Sequence, residues 1–142
     1  MKVYLKQING ITTVGKANSN HWIVMDGGEQ FGGSKAASTP MELLLMSLAG
    51  CTSADVISII DKMRLNYNKY EVLVSAERAE EHPKVYTKIH IDYYIFGEDI
   101  KEESFKRAIE LSQEKYCSIS AMLNKAVDIT YAYHINKKIP KE

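Results

Sequence analysis

The chain has 142 residues, 18 basic and 18 acidic side chains, 45% hydrophobic and 25% charged residues. That length suits one domain over residues 1–142 with a core that needs no staple, and the even charge leaves no basic excess to hold nucleic acid. No apolar stretch of signal-peptide length opens the chain. The apolar run from Leu43 to Ile60 is interrupted by Ser47, Thr52, Ser53, Asp55 and Ser58, which argues against a membrane span and for a cytoplasmic protein.

Residues 3–16 read as a β-hairpin. The runs Val3–Ile8 and Ile11–Val14 flank Asn9-Gly10, a pair suited to a type I′ turn. His21–Met25 reads as a further strand, ended by Asp26-Gly-Gly, and a glycine-rich loop follows through Phe31–Ser38. Thr39-Pro-Met-Glu42 starts a helix: Thr39 caps it, Pro40 occupies the first helical position, and Glu42 closes a capping box. That helix is expected to run to Met63 or Arg64. It is apolar nearly all round, which implies burial on most sides, at the centre of the fold or at a subunit interface. After a turn at residues 66–69, Tyr70–Arg78 and Val85–Phe96 alternate as long antiparallel strands. Lys101–Tyr116 reads as an amphipathic helix with Phe105, Ala108, Ile109 and Leu111 on its apolar face. Ser118 or Ser120 is expected to cap a short helix through Lys125. Val127–Ile135 forms a last strand, and the Lys-rich tail is expected to fray. Strands, buried helix, strands, helices and strand, in that order, define an α+β fold.

Chemistry concentrates at the two cysteines, Cys51 and Cys117. Ser47, Ala49, Gly50, Thr52, Ser53 and Ala54 around Cys51 are small and leave room for a reactant, although a free cysteine in a helix also serves as a small core residue. Asp55 lies one turn on, on the same face, and disfavours a thiolate unless a cation offsets it. Lys16, Lys35, Arg78 and His82 are the candidate cations. Cys117 reads either as an ordinary helix-end residue or as a resolving thiol, which would require α-carbons within about 7 Å of those of Cys51. Glu42 reads as a capping residue or as part of a catalytic site. The four histidines have no metal-ligand spacing, and no Cys-x-x-Cys accompanies them, so no zinc is expected. No nucleotide-binding glycine motif occurs either, and no cofactor is expected.

The segment Ser38-Thr-Pro-Met-Glu-Leu-Leu-Leu-Met-Ser-Leu-Ala-Gly-Cys51, with the later Cys117-Ser-Ile-Ser and the closing strand Val127–Tyr133, resembles the OsmC/Ohr family. The resemblance implies an OsmC-like fold and an intertwined homodimer, with two long central helices packed among two sheets and active sites at the subunit interface. It also implies a thiol-dependent peroxidase that acts on organic or small hydroperoxides and is re-reduced by a dithiol. By the same resemblance Cys51 is the peroxidatic cysteine, Cys117 the resolving one, and Glu42 the carboxylate that holds a catalytic arginine. The chain departs from that pattern in two places. Glu42 precedes Cys51 by nine residues, where ten is the spacing of the hydroperoxide-reducing branches, and no arginine precedes Arg64. Lys16 is the nearest basic substitute, and a lysine cannot supply arginine's two-pronged fork to a carboxylate. The glycine-rich segment and the stretch Cys51-Thr-Ser-Ala-Asp55 resemble a less characterised branch of the family. The alternative expectation is a non-catalytic OsmC-like protein that binds a small hydrophobic ligand at the dimer interface or senses redox state.

Overall fold

The computed structural model describes residues 1–140, which fall into two compact units, Met1–Leu45 and the chain from Met46 on. The last two residues of the Lys-rich tail lie outside the described residues.

The first unit is an antiparallel sheet in the order β1 (Tyr4–Asn9), β2 (Thr12–Lys16), β3 (Ile23–Met25). Asn9 pairs with Thr12, so the hairpin loop is Gly10-Ile11 rather than Asn9-Gly10. Only Gly10 has positive φ, +54°, which is the pattern of a type II′ turn and not of the expected I′. A Cβ at Gly10 would also meet the Gly32 carbonyl oxygen at 2.9 Å, so the loop admits no side chain there.

The glycine-rich segment is tied down by one carboxylate. Asp26 Oδ1 accepts from the Gly27 N–H at 2.8 Å. Its Oδ2 accepts from the Ser34 N–H, the Ser34 hydroxyl and the Ala36 N–H at 3.0, 2.8 and 3.0 Å. These donors, the Ala36 amide foremost, hold the Asp26 carboxyl far below the usual carboxylate range. A depressed pKa contributes stability that is complete above the unfolded value near 4 and is lost as pH falls through the folded value. Asp26→Asn is therefore expected to lower the unfolding midpoint at pH 7, and the gap from wild type is expected to narrow at pH 3. An equal gap at both pH values would show that the charge is not what matters.

The helix α1 (Pro40–Lys62) begins with the expected reciprocal box. The Thr39 N–H donates to Glu42 Oε2 at 2.6 Å, and the Glu42 N–H donates to Thr39 Oγ1 at 3.2 Å. Within the second unit, α1 buries a single stripe, Leu48, Thr52, Val56 and Ile60, spaced one turn apart. The expected burial on most sides is therefore not met within one chain. By length and composition α1 would also serve to cross a membrane, a test that core helices pass as well. The helix ends with Arg64 in the left-handed region. The Arg64 N–H bonds the Asp61 carbonyl and the Leu65 N–H bonds the Ile60 carbonyl, a Schellman closure without glycine.

The second sheet has the order β4 (Lys69–Arg78), β5 (Tyr86–Phe96), β6 (Asp128–Ile135). Strands β4 and β5 are antiparallel, as expected. Strand β6 runs parallel to β5, which requires a long crossover. The crossover consists of α2 (Glu102–Leu111), a π-helical turn (Ser112–Tyr116) and α3 (Ser118–Leu123). The expected helix to Tyr116 thus stops at Leu111 and widens. Ile89, Ile91, Tyr93 and Ile95 of the central strand, with Phe105, Ala108 and Ile109 of α2, are buried and form the core. Asn136, after β6, is not frayed: its side chain bonds both the N–H and the carbonyl of Gly97 at 3.0 Å.

Candidate active site at the cysteine pair

Cys51 and Asp55 sit one turn apart on α1 and so share a face. Cys117 comes from the opposite side of the crossover. It follows the π turn, whose wide winding is closed by the Cys117 N–H on the Ser112 carbonyl at 2.8 Å. Neither Ser118 nor Ser120 caps α3. Cys117 itself is the cap, its sulfur accepting the Ser120 N–H at 3.4 Å. The result brings both sulfurs and a carboxylate oxygen of Asp55 within 4.8 Å of one another.

The two thiols are unequal. Cys51 is half-buried and Cys117 is 2% exposed. Burial pushes the Cys117 thiol above its ordinary range. The Ser120 hydroxyl and N–H pull it down, and the neighbouring Cys51 raises it further.

Beneath the pair lies a buried hydroxyl network. Thr52 Oγ1 is 2.6 Å from the Tyr93 hydroxyl and 2.9 Å from Ser112 Oγ, and the Ser112 hydroxyl donates to Asp55 Oδ2 at 3.1 Å. The Gln113 amide donates to Thr52 Oγ1 at 3.0 Å and to the Tyr93 oxygen at 2.7 Å. Each hydroxyl has one proton, so the donors fall in a single direction. With the Ser112 proton on Asp55, Thr52 donates to Ser112 and Tyr93 donates to Thr52. The chain of hydroxyls is polarised toward the carboxylate beside the thiols. Burial pushes the Tyr93 phenol up to about 12, against the hydrogen bonds of Thr52 and Gln113, so it stays protonated as the first donor. Tyr93→Phe should leave Thr52 and Gln113 short of a partner and cost about 1–3 kcal/mol, read as a drop in the denaturant midpoint. A neutral substitution would mean that the network is replaceable by packing.

Of the residues singled out in the sequence, Cys51 and Cys117 meet in the second unit. Glu42 lies in the first, and its carboxylate belongs to the helix cap, whose donors lower its pKa. Three of the four candidate cations have other partners. Lys16 bonds Asn20 at 2.6 Å and lies over the Trp22 ring, and Lys35 pairs with Glu29 at 3.5 Å. Arg78 bonds the Lys84 carbonyl at 2.9 Å and lies over Tyr86. Lys62, which the sequence did not single out, lines a groove of about 360 Å³ with Asp55, Ser58, Ile59, Leu111 and Tyr116. The network residues were also missed. Thr52 carries the available signal: it is a polar residue in the i, i+4 stripe of a helix otherwise buried through Leu48, Val56 and Ile60.

The family model for OsmC-like protein matches residues 32–132, and the chain belongs to that family. It is similar to protein YhfA of Escherichia coli strain K12, with 42% identity over 135 residues, which cover 95% of this chain and 98% of YhfA. The structure is similar to that of a hypothetical protein from Aquifex aeolicus VF5, with TM-score 0.79 and 30% identity over 96% of this chain and 97% of the other. It also shares the fold of an organic hydroperoxide resistance protein OsmC from Legionella pneumophila, with TM-score 0.69 and 12% identity over 94% and 96% of the two chains. The OsmC-like fold expected from the sequence, α+β with a long helix and two sheets, is the one found.

Proposed function

We propose that the protein is a thiol-dependent peroxidase that reduces organic or small hydroperoxides through Cys51 and Cys117. One observation carries this reading: two free cysteines distant in sequence meet beside a carboxylate, with one thiol reachable and the other buried. In this mechanism the Cys51 sulfur attacks the terminal peroxide oxygen, and the O–O bond breaks. The departing alkoxide takes up the proton given up by the thiol, and Cys51 becomes a sulfenic acid. The Cys117 sulfur then attacks the Cys51 sulfur, the S–O bond breaks, water leaves, and a disulfide forms. A dithiol reductant, available in the expected cytoplasmic setting, restores both thiols by exchange.

Asp55 is the group to accept and return the thiol protons, since its oxygen lies within 4.8 Å of both sulfurs and its hydroxyl chain ends on it. The groove walled by Ile59, Leu111 and Tyr116 would receive the organic part of the substrate. Glu42 is assigned to the helix start. The role implied for it by the resemblance needs an arginine that this chain lacks before Arg64. We also propose a homodimer as the working assembly. Tyr4, Leu5, Ile8, Ile23 and Val24 of the first sheet, Trp22 just before β3, and Met46 of α1 are exposed in one chain.

The test is single-turnover oxidation of the reduced protein by hydrogen peroxide and by cumene hydroperoxide, with thiol counting. The expected result is loss of two thiols and one peroxide per chain, faster with the organic peroxide, and repeated turnover with a dithiol. Formation of the disulfide without catalytic turnover would favour a redox sensor. No thiol loss would leave the ligand-binding alternative.

A further inference from the structure

We propose that the reduced Cys51–Asp55–Cys117 cluster binds a thiophilic divalent cation, Zn²⁺ in the first instance, and that forming the Cys51–Cys117 disulfide expels it. This inference stands apart from the peroxidase reading, because it is tested without peroxide.

Three ligand atoms of suitable type converge. Both sulfurs and an Asp55 oxygen lie within 4.8 Å of one another. Zinc bonds of about 2.3 Å to sulfur and about 2.1 Å to oxygen place tetrahedral ligand atoms roughly 3.5–3.8 Å apart. The cluster therefore needs to contract by no more than about 1.3 Å, which side-chain rotation of Cys51 and Asp55 on one helical face can supply. Three protein donors leave the fourth position to water or to an added ligand, as in an open zinc site. Two thiolates with one carboxylate favour zinc over magnesium or calcium, which prefer all-oxygen sets.

The surroundings are those of a supported site. The Ser112 hydroxyl donates to Asp55 Oδ2 at 3.1 Å, and Ser112 Oγ is itself 2.9 Å from Thr52 Oγ1. The Ser120 N–H donates to the Cys117 sulfur at 3.4 Å. Outer hydrogen bonds of this kind fix ligand orientation and tune affinity. The redox dependence follows from bonding. In the disulfide both sulfurs have lost their negative charge and are poor ligands, and only the Asp55 carboxylate remains, too few ligands to retain the cation. Binding and disulfide formation exclude one another, so an oxidant that accepts two electrons from the thiolates releases the ion. The histidine-and-Cys-x-x-Cys search of the sequence could not see this set, because Cys117 reaches the other two only through the crossover.

The full-length reduced protein is dialysed against Zn²⁺ with excess Mg²⁺ and Ca²⁺, and bound metal is measured. Co²⁺ is substituted to read the sulfur-to-cobalt charge-transfer band. One zinc per chain and a tetrahedral cobalt spectrum with thiolate bands are expected. Cys117→Ser and Asp55→Asn should each weaken binding by about 100-fold or more, and Ser112→Ala by about 10-fold. Oxidising the wild-type chain to the disulfide should release the ion, and reduction should restore binding, with no mutation and hence no folding question. The proposal is overturned if the reduced chain takes up no zinc. It is also overturned if uptake is unchanged by oxidation or by Cys117→Ser, since the ion would then sit elsewhere.

Discussion

Cys51→Ser should reduce peroxide consumption to background, while Cys117→Ser should consume one equivalent quickly, over-oxidise slowly under excess peroxide, and not turn over. The difference follows from the geometry of the pair. The half-buried Cys51 is the sulfur a peroxide can reach, and a serine hydroxyl in its place is too weak a nucleophile at neutral pH to replace a thiolate. Without Cys117, the first O–O cleavage still proceeds, but the sulfenic acid has no neighbour to condense with and passes to sulfinic acid under excess peroxide. Mass spectrometry of Cys51 in the Cys117→Ser chain should show added oxygen, and the wild type should show loss of two hydrogens. The steps also separate by pH. Burial raises the Cys117 thiol, and a raised pKa means that its thiolate fraction grows only above the ordinary thiol range near 8.5. Disulfide closure should therefore go on accelerating as pH rises past about 8.5. Equal peroxide consumption by wild type and Cys51→Ser would end the enzyme reading.

The unfolding midpoint should rise with protein concentration, as it does for a dimer whose folded state depends on association. Tenfold dilution then lowers apparent stability by about 1.4 kcal/mol. One chain leaves apolar surface open. The helix α1 buries only its Leu48, Thr52, Val56 and Ile60 stripe, while Met46 is 54% exposed and Trp22, just before β3, 47%. Gly50 gives a sharper test. A Cβ there meets nothing within 4 Å in the single chain, so helix propensity alone gives Gly50→Ala a gain of roughly 0.5–1 kcal/mol. If the Gly50 face packs on a second copy, the added methyl group enters that interface and the gain is lost. A concentration-independent midpoint, or a monomer in sedimentation at micromolar concentration, would refute the dimer.

Local chemistry made much of the fold legible. The Thr39–Glu42 box forms as the residues prescribe, because its groups lie within one turn and need no distant partner. The period-two alternation of Tyr70–Arg78 and Val85–Phe96 likewise marked β4 and β5, since alternation records a strand with two unlike faces. The readings that failed depend on neighbours. The Asn9-Gly10 turn moved by one residue because strand register places Asn9 opposite Thr12. The helix expected to reach Tyr116 stops at Leu111, where Ser112 turns to Thr52 and Asp55 and the backbone widens into the π turn.

The sequence by itself determined the element order, the start of the long helix and the identity of the two thiols, all of which depend on side-chain type and near spacing. Only the tertiary structure decided that Cys117 joins Cys51 and Asp55, that Cys117 caps α3, and that Tyr93, Thr52 and Ser112 form a hydrogen-bonded chain that reaches Asp55. The physical reason is that β6 pairs parallel to β5, and a parallel pair requires a long crossover. That crossover carries the second thiol back across the chain to the first, a relation that no periodicity along the sequence encodes.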